Sequence, residues 1–381
     1  MQLSARGLNR ATLARQSLLA RADTDAVSAI AAAVAFQSQA PVSPYIGLWN
    51  RVAGFDRAEL DAAYASGAAV RGNPVRMTLH TVAAADYRPY REATEPSLYA
   101  AKLGGRIAGA GVSAAEAAKL SVEILSFAAV ESRTARECED WLAERLGAET
   151  AKAAWPGIRQ YAPLLRARTG GPWGFNEKVD YIAAPDLPTL GDDAAADAAL
   201  QTLVLRYLAG FGPASPADVA QFAMVQRGRA KRAILALGDR LDVHEGPAGE
   251  TLYDLPGAPL PDPETPAPPR LMAMWDNVFL AYHDRSRTLP PDYRATFIRN
   301  NGDVLPMLLV DGHAAGLWRP VESGIEATAF HPLPDEVWAA LDAEAEGLRS
   351  LLADREPLAY KRHHHWWAKL PEAQTVLLAK R

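Results

Sequence analysis

The chain has 381 residues, of which 49% are hydrophobic and 22% charged, and its formal net charge is −5. This composition excludes a disordered chain and, at roughly 100–200 residues per domain, predicts two or three domains. The single cysteine, Cys138, excludes an internal disulfide and a thiolate metal site, which favours a reducing cytoplasm. No apolar run reaches the roughly 20 residues of a membrane helix, and residues 1–16 lack the core of a secretion signal. We therefore expect a cytoplasmic protein with no membrane partner.

Positive charge is segregated along the chain. Residues 1–22 carry four arginines and no acid, and a second basic run occupies residues 226–233. Such segregation is usual for solvated faces, but the counterion-release contribution to nucleic-acid binding depends on a local basic surface and not on net charge. The negative net charge argues only weakly against a polyanionic partner.

Residues 1–110 are predicted to form an N-terminal helix and a first unit of three helices followed by two strands. The strands are joined through Asn73 and Pro74. The predicted helices are 24–36, 41–52 and 56–67, and the predicted strands are 68–72 and 75–82.

The same order recurs twice without residue-level repetition. In residues 111–190 the predicted helices are 113–130, 134–146 and 150–165, and the predicted ribbon strands are 166–171 and 178–185. Residues 191–256 give the clearest example. The predicted helices there are 193–212, 215–223 and 227–239, and the predicted strands are 240–246 and 250–256. Ser215 and Pro216 mark the start of the second helix there.

Three helices followed by a two-stranded ribbon is the order of a winged helix, whose third helix enters the DNA major groove. In the third unit this helix carries the basic cluster, so its side chains are predicted to contact the DNA backbone. They are Arg227, Arg229, Lys231 and Arg232. The simpler alternative is a helical protein with hairpins.

Residues 257–381 form the last predicted region. It begins in a linker at 255–270, where seven prolines in 16 residues exclude regular structure. Strand-like segments follow at 271–284, 296–320 and 325–334, with hairpin turns at Asn301-Gly302 and Asp311-Gly312, and then an amphipathic helix at 334–353. The predicted fold is therefore mainly α with small β (α+β), with three tandem winged-helix units and a small C-terminal α+β region.

Four segments, in this order and spacing, resemble the winged-helix family of AlkZ-type and YcaQ-type alkylpurine DNA glycosylases. They are LNRATLARQSLL, FQSQAPVSPYIGLWNRV, VRMTLHTV and WDNVFLAYHDRSRTLP. The resemblance implies a concave cleft for duplex DNA and removal of bulky or crosslinking alkyl adducts from purines, in some members as self-resistance to a DNA-alkylating natural product. It also implies a catalytic Gln-x-Gln signature, which Gln37-Ser38-Gln39 matches.

The chemistry of such a lesion suits two neutral amides. An N7-alkylguanine or N3-alkyladenine is already cationic, so the base leaves without protonation by a general acid. The enzyme then has to support an oxocarbenium-like sugar and to hold a water, which the amide oxygens of Gln37 and Gln39 can do. Pro41 disfavours the helical region for Ala40 and lets both side chains face one volume. From composition alone, the same stretch is a solvated helix end.

Further candidates for lining the cleft or contacting DNA are polar or aromatic residues of the resembling segments. They are His80, Trp275, Asn277, His283, Arg285 and Arg287. Core packing is the alternative for His80 and for the aromatic residues, and a structural ion pair is the alternative for Arg285. The segment RHHHWW (362–367) lacks metal-ligand spacing, so we predict neither a metal nor a cofactor.

The sequence therefore predicts a monomeric, monofunctional DNA glycosylase that hydrolyses the N-glycosidic bond of cationic alkylpurines in double-stranded DNA, for base-excision repair. No lysine stands out as a Schiff-base nucleophile, so strand cleavage is not expected. The alternative is a non-catalytic winged-helix DNA-binding protein, either a transcriptional regulator or a protein that sequesters lesions or a drug.

Overall fold

The structure is a computed structural model, and the residues it describes are 2–168, 173–174, 180–354, 356–371 and 373–380. Its first elements are α1 (Ala5–Arg15), α2 (Ala26–Ala32), β1 (Phe36–Gln37), α3 (Ser43–Trp49), α4 (Arg57–Ser66), β2 (Ala69–Gly72), β3 (His80–Ala83) and α5 (Ala84–Leu98). Side-chain caps explain several starts: Asp25 accepts from two N–H groups of α2, and Asp56 forms a capping box with Glu59 at α4.

The strands of this first part form a three-stranded antiparallel sheet in the order β1-β3-β2. Gln37 lies opposite His80 across the β1–β3 pair. The predicted strand at 75–82 is wrong for residues 75–79, which form a turn. Arg76 and Met77 there adopt the left-handed conformation, with φ of 52° and 54°, and this backbone cannot continue a strand.

Sequence reasoning missed α5, which carries Pro89 and Pro96 in its interior. Proline removes a backbone donor and disfavours a helix, so no local signal marks one here. The helix nevertheless runs on into a π-helix at Tyr99–Ile107 and a 3₁₀ turn at Ala108–Ala110. Burial of one face overrides the local propensity.

The middle part has its own three-stranded sheet, in the order β4-β6-β5. Its elements are α6 (Ala114–Phe127), β4 (Arg133–Thr134), α7 (Ala135–Leu146), α8 (Ala148–Tyr161), β5 (Leu164–Arg166) and β6 (Asp180–Ala183). The three predicted helices are present, but the one at 150–165 ends at Tyr161, because Leu164 and Leu165 pair with β6. Of the predicted ribbon, residues 169–171 and 178–179 lie outside the described residues; the remainder includes Arg166, which pairs with Tyr181.

The third part follows the predicted order closely. Its elements are α9 (Asp193–Phe211), α10 (Pro216–Ala223), α11 (Arg227–Leu237), β7 (Asp242–Glu245) and β8 (Thr251–Asp254). Ser215 caps α10 and forms a capping box with Asp218, as the sequence signal indicates. The helix α9 packs along α5, which joins the third part to the first.

The C-terminal part is a five-stranded antiparallel sheet in the order β13-β12-β11-β10-β9, with a long helix beside it. Its elements are β9 (Arg270–Leu271), α12 (Arg294–Phe297), β10 (Met307–Val310), β11 (His313–Val321), β12 (Gly324–Ala329), α13 (Asp335–Leu352) and β13 (Gln374–Leu378). The hairpin turn at Asp311-Gly312 and the helix at 334–353 are confirmed.

The predicted strand at 271–284 is wrong beyond Leu271. The chain instead makes 3₁₀ turns at Asn277–Phe279 and Arg285–Arg287. Each turn is N-capped by an aspartate, Asp276 or Asp284, whose carboxylate accepts from the backbone N–H two residues on. This local bond competes with strand pairing.

The described residues bury two main hydrophobic clusters. The larger one joins the first, third and C-terminal parts, and the smaller one belongs to the middle part, from Leu98 to Tyr181. A cavity of about 970 Å³ lies where they meet, lined by residues of both, among them Tyr64, Val70, Leu125 and Leu165. The chain is α+β, as predicted. Within the described part of the chain, no helix is both long and apolar enough to cross a membrane.

Candidate active site

Gln37 and Gln39 lie at the end of β1, where the chain leaves the sheet. The Ser38 N–H donates to the Leu79 carbonyl at 2.8 Å, and the Ser38 carbonyl accepts from Arg71 at 2.6 Å. These bonds fix the backbone of Ser38, which lies between the two glutamines. Gln37 is buried, with 8% of its surface exposed, whereas Gln39 is exposed in the following bend.

Gln37 is held by Arg76, from the turn between β2 and β3. Arg76 Nη2 donates to Gln37 Oε1 at 2.8 Å and to Asn277 Oδ1 at 2.7 Å. Because a guanidinium has no acceptor, the oxygen of each amide must face it. The orientation of the Gln37 amide is therefore fixed, and no described residue accepts from its Nε2.

His80 is the third group around Arg76, with Nε2 at 2.9 Å from Nη2. Its other ring nitrogen lies 2.9 Å from the Thr78 carbonyl, which can only accept, so Nδ1 carries the proton and Nε2 accepts. Burial, and then the positive charge of Arg76, lower the pKa of His80 well below its usual range. His80 is thus a neutral acceptor at pH 7.

Asn277 links the C-terminal part to the site through hydrogen bonds. Its Nδ2 donates to the Ala35 carbonyl, immediately before β1. The preceding Asp276 forms a buried bidentate ion pair with Arg51, at 2.8 and 3.0 Å. Arg51 also donates to Gln16 Oε1 at 3.2 Å. Buried charges need such partners, and this pair fixes the turn that presents Asn277.

Arg76 itself has no carboxylate bonded to it among the described residues. Its Nη1 is buried without a hydrogen-bond partner there, and its guanidinium carbon lies 5.4 Å from the centre of the Phe222 ring. Burial, with repulsion from Arg285, lowers the pKa of Arg76 to about 9. The side chain remains charged at pH 7.

The other predicted cleft residues divide into two groups. Trp275 is buried, and its indole N–H donates to the Gly302 carbonyl at 3.0 Å, so it packs the C-terminal part. Arg285 is half-buried and close enough to Arg76 to repel it. The structure thus gathers His80, Asn277 and Arg285 around Gln37 and Arg76.

His283 and Arg287 lie elsewhere, along a cavity of about 520 Å³. His283 is exposed, and its backbone N–H donates to Asp218 at 2.9 Å. Arg287 donates to the Pro213 carbonyl at 3.1 Å and stacks on the Tyr282 ring.

The basic cluster of α11 is mostly open to solvent. Arg227, Lys231 and Arg232 are exposed. Arg229 differs, because its Nε donates to Asp197 at 2.9 Å and its side chain is half-buried. Three of the four side chains predicted to contact phosphates are therefore accessible to a polyanion.

The histidines of residues 363–365 do not converge on one point. His363 lies 3.3 Å from an Asp303 oxygen and packs edge-on against Trp275, while His365 packs against Trp366. Within the described ranges, no group of three or more His, Cys, Asp or Glu residues is placed to hold a metal ion.

Sequence reasoning missed the functional setting of Arg76, Arg51 and Asp276. One signal was present: Arg76 is a charged residue in the otherwise apolar and neutral stretch VRMTLHTV. No sequence signal pairs Arg51 with Asp276, because the two lie 225 residues apart.

Comparison with known proteins places the chain in a family. The model of the family described as DNA glycosylase AlkZ-like matches residues 30–351. The solved Streptomyces sahachiroi DNA glycosylase AlkZ is 19% identical, with a TM-score of 0.73, over 93% of this chain and 98% of that one. No curated protein sequence matches the chain. The match over most of the chain, on a fold shared from end to end, shows that the protein belongs to the AlkZ-like DNA glycosylase family.

Proposed function

We propose that the protein is a monofunctional DNA N-glycosylase that removes bulky, cationic alkylpurines, such as N7-alkylguanine and N3-alkyladenine, from duplex DNA. The observation that carries the proposal is the pair of neutral amides at the end of β1, one anchored and one exposed. The carboxylate of Asp276, in the neighbouring turn, is bound to Arg51 and is not available as a base.

The reaction needs little acid–base chemistry. As the C1′–N bond of the lesion breaks, its electron pair moves to the purine and cancels the positive charge that alkylation introduced. The sugar becomes an oxocarbenium ion, a water adds to C1′, and the water's proton passes to solvent. Positioned dipoles and a positioned water can supply most of the acceleration of such a step.

The two glutamines differ in what they can contribute. Gln39 is exposed and has no described hydrogen-bond partner, so its amide oxygen can turn to a water or to the sugar. Gln37 Oε1 already accepts from Arg76, which leaves a second lone pair for the water and an Nε2 donor on the opposite side. Gln37 would hold the water in a fixed position, and Gln39 would adjust its amide to the water or to the sugar.

The surroundings favour a bulky adduct on a base that is not drawn fully into a pocket. A flipped base needs a snug cavity around it. The 970 Å³ cavity lies against other residues, and neither Gln37 nor Gln39 lines it. Bulky or crosslinking adducts of a DNA-alkylating natural product suit a base that stays outside such a cavity, so the protein would act in base-excision repair and in self-resistance.

Duplex binding would rest on phosphate contacts. The exposed basic residues of α11 supply positive charge as the third helix of a proposed winged helix. A single chain carries both this surface and the glutamine pair, so we propose a monomer.

The decisive experiment is single-turnover excision from a duplex oligonucleotide that carries one N7-alkylguanine. We expect release of the alkylated base and an abasic strand that breaks only on later treatment with alkali. A protein in which Gln37 and Gln39 are both replaced by alanine should bind the duplex and release nothing. Tight binding of one undamaged sequence, with no base released by the unchanged protein, would instead establish the DNA-binding alternative.

A further inference from the structure

We infer that Arg76 is a positioning residue for the excision reaction, and that it acts through Gln37 by fixing the orientation of the Gln37 amide. The inference rests on the proposed function, since it assigns a role relative to a proposed catalytic group. It concerns a side chain that the Gln-x-Gln signature does not contain.

The hydrogen-bond inventory supports this role. Arg76 Nη2 has two hydrogens and three acceptors within reach, on Gln37, Asn277 and His80. His80 and Asn277 are each fixed by a second bond to a backbone carbonyl, of Thr78 and Ala35 respectively. Gln37 has no second described partner, so Arg76 alone determines its orientation.

Burial shows that Arg76 acts through another residue. Only 7% of Arg76 is exposed, and Nη1, the nitrogen free of hydrogen bonds, is buried as well. Little of the guanidinium is therefore open to a phosphate or a sugar. The Gln37 amide accepts from it, and Gln39, two residues on, is exposed.

A purely structural role explains Arg76 poorly. It is a buried cation without a bonded carboxylate among the described residues, and a hydrophobic side chain of similar length could fill the same volume without burying a charge. It also lies in a strained turn, since Arg76 and Met77 both have positive φ. Strain and unpaired buried charge concentrate at functional sites.

The test is a double-mutant cycle between Arg76→Met and Gln37→Ala, measured by single-turnover excision. Methionine is unbranched like arginine, so it keeps the volume and places no new demand on the left-handed backbone. We expect R76M to slow excision about 100-fold, the scale of a misplaced catalytic group. In the Q37A background the same change should have less than about a 2-fold further effect, because coupled residues are non-additive.

Three controls separate positioning from folding. Arg91→Met removes another buried arginine, one that donates to the Tyr161 carbonyl, and should leave the excision rate unchanged. The dissociation constant for undamaged duplex should change less than about 3-fold in R76M, because phosphate contacts set it. Arg76→Lys keeps a hydrogen-bond donor and should restore part of the excision rate. If R76M fails to fold, R76K replaces it in the double-mutant cycle with Gln37→Ala.

Two results would overturn the inference alone: an R76M protein that excises at the normal rate, or an R76M loss that is as large in the Q37A background as in the protein that keeps Gln37. The absence of excision by the unchanged protein is a different result. It would overturn the proposed function, and the inference with it.

Discussion

The first part of the chain differs from the third in having the strand β1 between its helices α2 and α3, and its strands are buried more deeply. In the first part every residue of β2 and β3 is buried, and β1 adds a third strand that carries Gln37. In the third part β7 is mostly exposed, with Val243 at 59%, and the sheet has two strands.

The difference comes from what covers each sheet. The turn at residues 275–277 closes over β1 through Asn277 and the Arg51–Asp276 pair. Beside β7 lies an isolated bridge from Gln2 to Glu245, where the Leu3 N–H donates to the Glu245 carbonyl at 2.8 Å. On the proposed function, the first arrangement would hold a reacting group in place, and the second would leave charge free for phosphate contacts.

The largest effect is expected at the buried ion pair. Asp276→Asn leaves Arg51 buried without a carboxylate and should lower the free energy of unfolding by about 3–5 kcal/mol. Asp242→Asn, on the exposed strand β7, should change it by less than about 0.5 kcal/mol. Denaturant unfolding of both variants measures the contrast, and equal losses would contradict it.

The second effect is on catalysis. Gln39→Ala should slow single-turnover excision by about 100-fold or more, equivalent to about 2.7 kcal/mol, because it removes a dipole aimed at the transition state. Stability should not change, since Gln39 is exposed. Gln226→Ala, an exposed glutamine at the start of α11, is the matched control and should excise normally. A Q39A rate like that of Q226A would remove Gln39 from the mechanism.

The third effect is a pH dependence that originates at His80. Below about pH 6.5 the unfolded chain binds a proton on this histidine, while the folded protein, where burial and Arg76 lower its pKa, does not. The free energy of unfolding should therefore fall with falling pH, by about 1.4 kcal/mol per pH unit from this group. His80→Gln retains an acceptor for Arg76 and should make the dependence shallower; an unchanged slope would show that His80 is protonated in the fold.

The smallest effect is expected on α11. Lys231→Ala should change the free energy of unfolding by less than about 0.5 kcal/mol, because its side chain is exposed. It should lower the slope of log affinity against log salt by about 0.9, the contribution of one phosphate contact. Lys119→Ala, an exposed lysine on α6, should leave that slope unchanged. Equal slopes for K231A and the unchanged protein would place α11 away from the DNA.

Local sequence signals predicted most of the helices. They failed where contacts with distant parts of the chain determine the secondary structure. Ser215, Pro216 and the apolar periodicity mark α10 because capping and amphipathicity are properties of neighbouring residues. The helix α5 was missed because its two prolines argue against it, and only packing on α9 reverses that.

The candidate site was predictable only in part for the same reason. Gln37 and Gln39 stand two residues apart and can be recognised as a pair, and His80 and Asn277 lie in segments that the resemblance singled out. Arg76 connects these residues. Its position depends on a left-handed turn and on its hydrogen bond to Asn277, which lies 201 positions away. No pattern within a window of sequence contains that information.

The two separate cores have a consequence for cooperativity. Each core is a unit that can open without dissolving the other, so native-state hydrogen exchange should report two opening free energies, one for α6–α8 and one for α9 and the C-terminal sheet. The 970 Å³ cavity lies where residues of the two cores meet. Since Phe36 and its neighbours belong to the larger core, exchange from β1 should follow that core and not α6–α8.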